Sequence, residues 1–98
     1  MLVSLLKGIK IMVRIWAKVC KGEKILKDTI YEEFSSFDLE KFFDYIASIC
    51  ETLDIATPVI LSKHIFHYLN YNNTSFTKAD FPEEIDFDKL VIEEASNY

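Results

Sequence analysis

The sequence predicts a single α+β domain: a mostly antiparallel sheet with one long helix packed on one face and a short second helix, in the order ββαβαβ. Three observations predict it. Residues 12–20, MVRIWAKVC, alternate strictly between two faces, the period of a half-buried strand. Residues 37–55, FDLEKFFDYIASICETLDI, repeat apolar residues every three or four positions, the period of a helix. The 98 residues are half apolar, with eight Phe, five Tyr, two Gly and two Pro, which suits one packed core and excludes a low-complexity or disordered chain.

The first strand puts Val13, Ile15, Ala17 and Val19 on one face and Arg14, Trp16, Lys18 and Cys20 on the other. Gly22 then sits at the tip of a tight turn. The second strand, within 24–32, carries Leu26, Asp28 and Ile30 on one face, and the two make a β-hairpin. Ser35, Ser36 and Asp38 offer helix caps. In the long helix, Leu39, Phe42, Phe43, Ile46, Ile49, Cys50 and Leu53 form one broad apolar stripe, and the helix should end near Asp54, ahead of Thr57-Pro58. The run PVIL, 58–61, predicts a third strand buried on both faces. Ser62 is a candidate N-cap for a short helix over 63–71. Residues 72–84 are rich in loop formers, with one turn over Thr77–Asp80 capped by Thr77. DKLVIEEA, 88–95, reads as the last strand.

Charge is arranged along the chain. Residues 1–27 carry a balance of +6 and residues 28–98 one of −11, within a net charge of −5. The basic hairpin could meet nucleic acid, with Trp16 as a stacking platform. An isoelectric point near 4.9 disfavours that. The preferred expectation is that basic and acidic strands are sheet neighbours, with the C-terminal strand beside the first or second strand and charges paired across the ladder.

Cys20 and Cys50 have no CxxC spacing and no nearby His, so they are read as reduced thiols that pack as small hydrophobes. No apolar run reaches the length of a membrane span. Lysines and Arg14 interrupt the opening residues where an export signal would be purely apolar. Two readings of residues 1–11 stay open: a translated leader ahead of a natural start at Met12, or a short amphipathic helix or extra strand. Residues 12–95 form the domain and 96–98 a tail.

Three stretches, RIWAKVCKGEKILKD, LDIATPVILSKHI and NNTSFTKADFPEEIDFDKLVIEE, resemble a family of short, uncharacterised bacterial proteins of roughly 90 residues. The family's closing segment is of DFxEEIDFDKLxIE type. The resemblance covers 12–95 and implies a cytoplasmic location. It brings no catalytic residues and no cofactor. The Lys, Ile, Phe, Tyr and Asn bias, with Arg14 the sole arginine, fits an AT-rich bacterial genome.

Both histidines lie in HIFHYLNY, 64–71. On a helix, Ile65, Phe66 and Leu69 should pack on the sheet, leaving His64, His67, Tyr68 and Tyr71 as an outward polar-aromatic ridge. Two His at i, i+3 fall short of a tetrahedral metal site, so no metal ligand set is assigned. No phosphate loop, nucleophile elbow or zinc-protease motif is present, and no catalytic residue is assigned.

The leading expectation is a non-enzymatic interaction module that binds a protein partner or itself as a homo-oligomer. Its candidate surface is the ridge (His64, His67, Tyr68, Tyr71) or the sheet face around Trp16. One alternative is a small enzyme or a ligand- or metal-binding domain using His64 or His67 with acids from 83–88. The other is nucleic-acid binding by the hairpin.

Overall fold

The computed structural model describes residues 12–95, so the expectations about 1–11 and 96–98 lie outside the described residues. The chain is an α+β domain with two helices on one face of a four-stranded antiparallel sheet. Strand β1, Val13–Lys21, turns into β2, Lys24–Glu33. A 3-10 turn over Leu39–Lys41 leads into α1, Phe42–Leu53, and α2 covers Ser62–Tyr71. Then come β3, Asn73–Thr77, a 3-10 turn over Lys78–Asp80, and β4, Lys89–Glu94. The spatial order is β2-β1-β4-β3, so β2 and β3 are the edges.

The hairpin forms as its alternation demands. Val13, Ile15, Ala17 and Val19 are all buried, and each alternates with a half-buried residue. Gly22 has φ +60 at the first of the two loop residues, the position a type II′ hairpin turn reserves for glycine. Its N–H donates to Asp88 Oδ2 at 2.6 Å, tying the turn to the entrance of β4. The register slips between Val19 and Cys20, where Leu26 is the extra residue of a β-bulge. Leu26 therefore leaves the alternation it was expected to share with Asp28 and Ile30.

Helix α1 buries Phe42, Tyr45, Ile46, Ile49, Cys50 and Leu53. Leu39 and Phe43, expected in the stripe, are 45% and 57% exposed, and Tyr45 takes the inner place. The Tyr45 hydroxyl accepts the Asp38 N–H at 3.0 Å, so its polar tip is satisfied where a Phe would leave the amide unpaired. The helix ends on Asp54, in the left-handed region at φ 57.

The expected third strand at 58–61 is corrected. PVIL lies outside the sheet, with Val59 48% and Leu61 45% exposed. Pro58 has no N–H, and the run's backbone link to the C-terminal half is Val59 N–H to Asp80 O at 2.8 Å. The run is a connector between the helices. The third strand is instead Asn73–Thr77, within the stretch read as loop, so the order is ββααββ. Thr74 and Phe76 point into the core.

Strand β4 pairs with β1, as the charge division predicts. Lys18 Nζ meets Glu93 Oε1 at 3.0 Å across that ladder, and Arg14 Nε meets Glu32 Oε2 at 3.0 Å across the hairpin.

Candidate sites on the histidine helix and the open sheet edge

In the His64 stretch, Ile65 packs against the core as expected, but Phe66 and Leu69 do not, and the helix turns His64 and Tyr68 inward instead. His64 and Tyr68 are buried, while Phe66 is 65% and Leu69 50% exposed. The expected ridge is thus split: His67 and Tyr71 stay outside, and their rings pack together at 4.7 Å. Tyr68 enters a cluster with Phe42 and Phe37, at 5.4 and 5.9 Å between ring centroids.

His64 is held on every side. Its ring packs on Phe76 at 4.4 Å. Nδ1 accepts the Leu61 backbone N–H at 2.9 Å, so the imidazole supplies the cap for which Ser62 was the candidate; Ser62 is instead the first helical residue. An accepting Nδ1 places the proton of the neutral ring on Nε2. Nε2 lies 3.2 Å from Asp80 Oδ2, off the line of a good hydrogen bond, so the polar N–H edge of the ring rests beside the carboxylate.

Asp80 is itself buried. Oδ2 accepts the Thr77 N–H at 2.9 Å and the Thr77 hydroxyl at 3.4 Å, and Lys63 Nζ stands 3.9 Å from Oδ1. Burial alone would raise this carboxyl. The Thr77 amide, the His64 ring and the Lys63 charge outweigh that and hold it below the ordinary aspartate value.

With Nδ1 occupied and Nε2 facing a carboxylate in the core, His64 offers no nitrogen to a substrate. His67 Nδ1 bonds the Asn73 carbonyl at 2.8 Å. Among the described residues no group of three or more His, Cys, Asp or Glu could hold a metal ion. Glu84 and Asp86, two of the acids considered as partners of the histidines, line a depression of about 640 Å³ with Lys27, Asp54 and Phe87. Neither histidine lines it. A smaller groove of about 140 Å³ runs between Met12, Phe37, Tyr68, Leu69 and Asn72.

The free face of the sheet carries Trp16 half-buried and internally partnered. Its Nε1 donates to Asp28 Oδ2 at 2.8 Å, and Lys18 Nζ lies 4.1 Å from the ring centroid.

The two edges of the sheet differ. Backbone N–H and C=O groups alternate in direction along a strand. The Ala95 N–H bonds Arg14 O, and the Asp88 N–H bonds Cys20 O, so the even-numbered residues of β1 face β4. Odd-numbered β1 residues then face β2, and their partners there are Lys27, Thr29, Tyr31 and Glu33. It follows that Asp28, Ile30 and Glu32 turn their backbone groups to the outer edge. The same parity sends Asn73, Ser75 and Thr77 outward on β3. There, His67 takes the Asn73 carbonyl and Asp80 takes the Thr77 amide. Side chains of the protein itself therefore close the β3 edge at both ends. Among the described residues the β2 edge is open over its middle, and Ile25, Leu26, Ile30 and Phe34 are all exposed along or beside it, Phe34 by 83%.

Comparison of the chain with protein-family models, with curated proteins and with solved structures finds no match. Among the described residues no helix is long and apolar enough to cross a membrane.

Proposed function

We propose that this chain is a non-enzymatic, cytoplasmic protein-interaction module whose docking surface is the outer edge of β2 with the adjoining Trp16 face. One observation carries the reading: of the two sheet edges, β3 is short and closed at both ends by His67 and Asp80, whereas among the described residues β2 presents a longer unpaired backbone beside exposed apolar side chains. An open edge of this kind is a template for another strand, with main-chain bonds giving affinity and alternate side chains giving selectivity. The histidines considered for chemistry are engaged in capping and edge closure, which leaves them a structural role.

The test is site-directed photo-crosslinking in the producing cell. Benzoylphenylalanine in place of Ile30 should give protein adducts, and in place of Glu51, on the exposed side of α1, it should not. Absence of adducts at position 30, or equal yields at the two positions, overturns the reading.

A further inference from the structure

We infer that the occupant of the β2 edge is the β2 edge of a second copy, paired antiparallel about a two-fold axis at Thr29 to make one continuous sheet across two chains. This rests on the interaction-module reading and names its partner. The argument is charge and backbone complementarity. Strand β2, KILKDTIYEE, is basic in its first half and acidic at its end. Neither Lys24 nor Lys27 has an ion pair among the described residues, while Glu32 meets Arg14 and Glu33 meets Lys41, contacts that these two carboxylates can share with a further lysine. Antiparallel self-pairing lays Lys24 and Lys27 of each strand alongside Glu32 and Glu33 of the other, and the symmetry does so twice. A parallel arrangement would set like charges together.

The register follows from which groups point outward. Among the described residues, Asp28, Ile30 and Glu32 carry the outward N–H and C=O groups with no partner, so hydrogen-bonded pairs must join even-numbered residues. An axis at Asp28 would place two aspartates opposite each other. An axis at Ile30 would place Asp28 opposite Glu32. The axis at Thr29 avoids both: Asp28 faces Ile30 twice, each pair exchanging both backbone bonds, and Thr29 faces Thr29. On the helix-bearing face Lys27 then stands opposite Tyr31 and one diagonal step from Glu33. Phe34, the most exposed large apolar residue among the described residues, comes against the Lys24 stem of the other chain. On the free face the two Trp16–Asp28 pairs lie on either side of the seam.

Two measurements test this on the full chain. Sedimentation equilibrium at micromolar concentration should give twice the chain mass. Amide exchange by NMR should then show Asp28, Ile30 and Glu32 protected and losing that protection on dilution, while Thr29 and Tyr31, bonded to β1, stay protected throughout. A charge swap supplies the second arm. K24E/K27E and E32K/E33K should each weaken self-association about tenfold or more, and an equimolar mixture should restore a hetero-dimer. Circular dichroism establishes that each variant is folded, and the exchange experiment needs no variant. A chain that stays monomeric, a dimer with fast-exchanging Asp28, Ile30 and Glu32 amides, or a mixture that fails to recombine overturns the self-pairing. If position 30 nonetheless cross-links a different protein, self-pairing is overturned while the interaction-module reading stands.

Discussion

The imidazole Nε2 of His64 stands 3.2 Å from Asp80 Oδ2, and both side chains are buried. This contact joins the start of α2 to the turn that follows β3. Asp80 also holds the Thr77 amide, and His64 also caps α2 at Leu61. Among the described residues, removing Asp80 leaves Nε2 facing nothing polar, and removing His64 leaves the carboxylate with Thr77 and Lys63 alone.

His64→Ala should accordingly lower unfolding free energy by about 2 kcal/mol, combining a lost cap with the loss of the buried ring packed against Phe76 and Asp80. Urea unfolding followed by far-UV circular dichroism measures it. A loss no larger than that of a surface substitution would refute the structural role given to the ring.

Asp80 sets an acid dependence whose sign is fixed. Its carboxyl is held below the ordinary value in the folded chain, so its stabilisation is complete above the unfolded-state pKa. That stabilisation drains away as pH falls through the lower folded value. The wild-type urea midpoint should fall on acidification below the ordinary aspartate range, and Asp80→Asn should be less stable at neutral pH with a flatter acid limb. Parallel limbs for the two proteins would contradict the assignment.

His67→Ala should cost less than about 1 kcal/mol in stability, since the bond it removes is solvent-exposed. Its larger effect should be on association. With the Asn73 carbonyl released, the β3 edge is uncapped at its first residue, and light scattering on concentration should rise above that of the wild type. Unchanged scattering would show that His67 does not guard the edge.

Asp54 terminates α1 in the left-handed region, where a Cβ is unfavourable, and its carboxylate sits at the negative end of the helix. Asp54→Gly should raise stability by about 0.5 to 1 kcal/mol, read from the thermal midpoint. A lowered midpoint would count against this account of the cap.

The two thiols should separate chemically. Burial pushes the Cys50 thiol up to about 11, with Thr57 acting weakly in the opposite direction. Cys20 is half-buried on the free sheet face, its Sγ 3.9 Å from Lys18 O. In the folded chain iodoacetamide should label Cys20 and spare Cys50, with both labelled in denaturant. Labelling of Cys50 at the rate of Cys20 would show that α1 opens readily.

The hairpin, α1 and the place of β4 were legible because each has a signal that tertiary context reinforces. Strict alternation from Val13 to Val19 has one buried solution, and opposite charges on β1 and β4 favour adjacency. PVIL was misread because a half-exposed connector and a buried strand have the same composition, and only ladder bonds distinguish them. NTSFT was missed because its inward residues, Thr74 and Phe76, are flanked by turn formers and its outer bonds go to side chains. Helix α2 has two amphipathic solutions. The apolar one loses because Asp80, Phe76 and Phe42 supply partners to His64 and Tyr68, which spacing within 62–71 cannot reveal.

The place of β1 between β2 and β4 has a consequence for biosynthesis. The hairpin partners are adjacent in the chain, but the other side of β1 waits until residues 89–94 have been made. Until then the nascent hairpin holds two raw flanks, so the sheet cannot close before β4 has emerged. A chaperone that shields the hairpin during that interval would do more for yield than any gain in the finished fold.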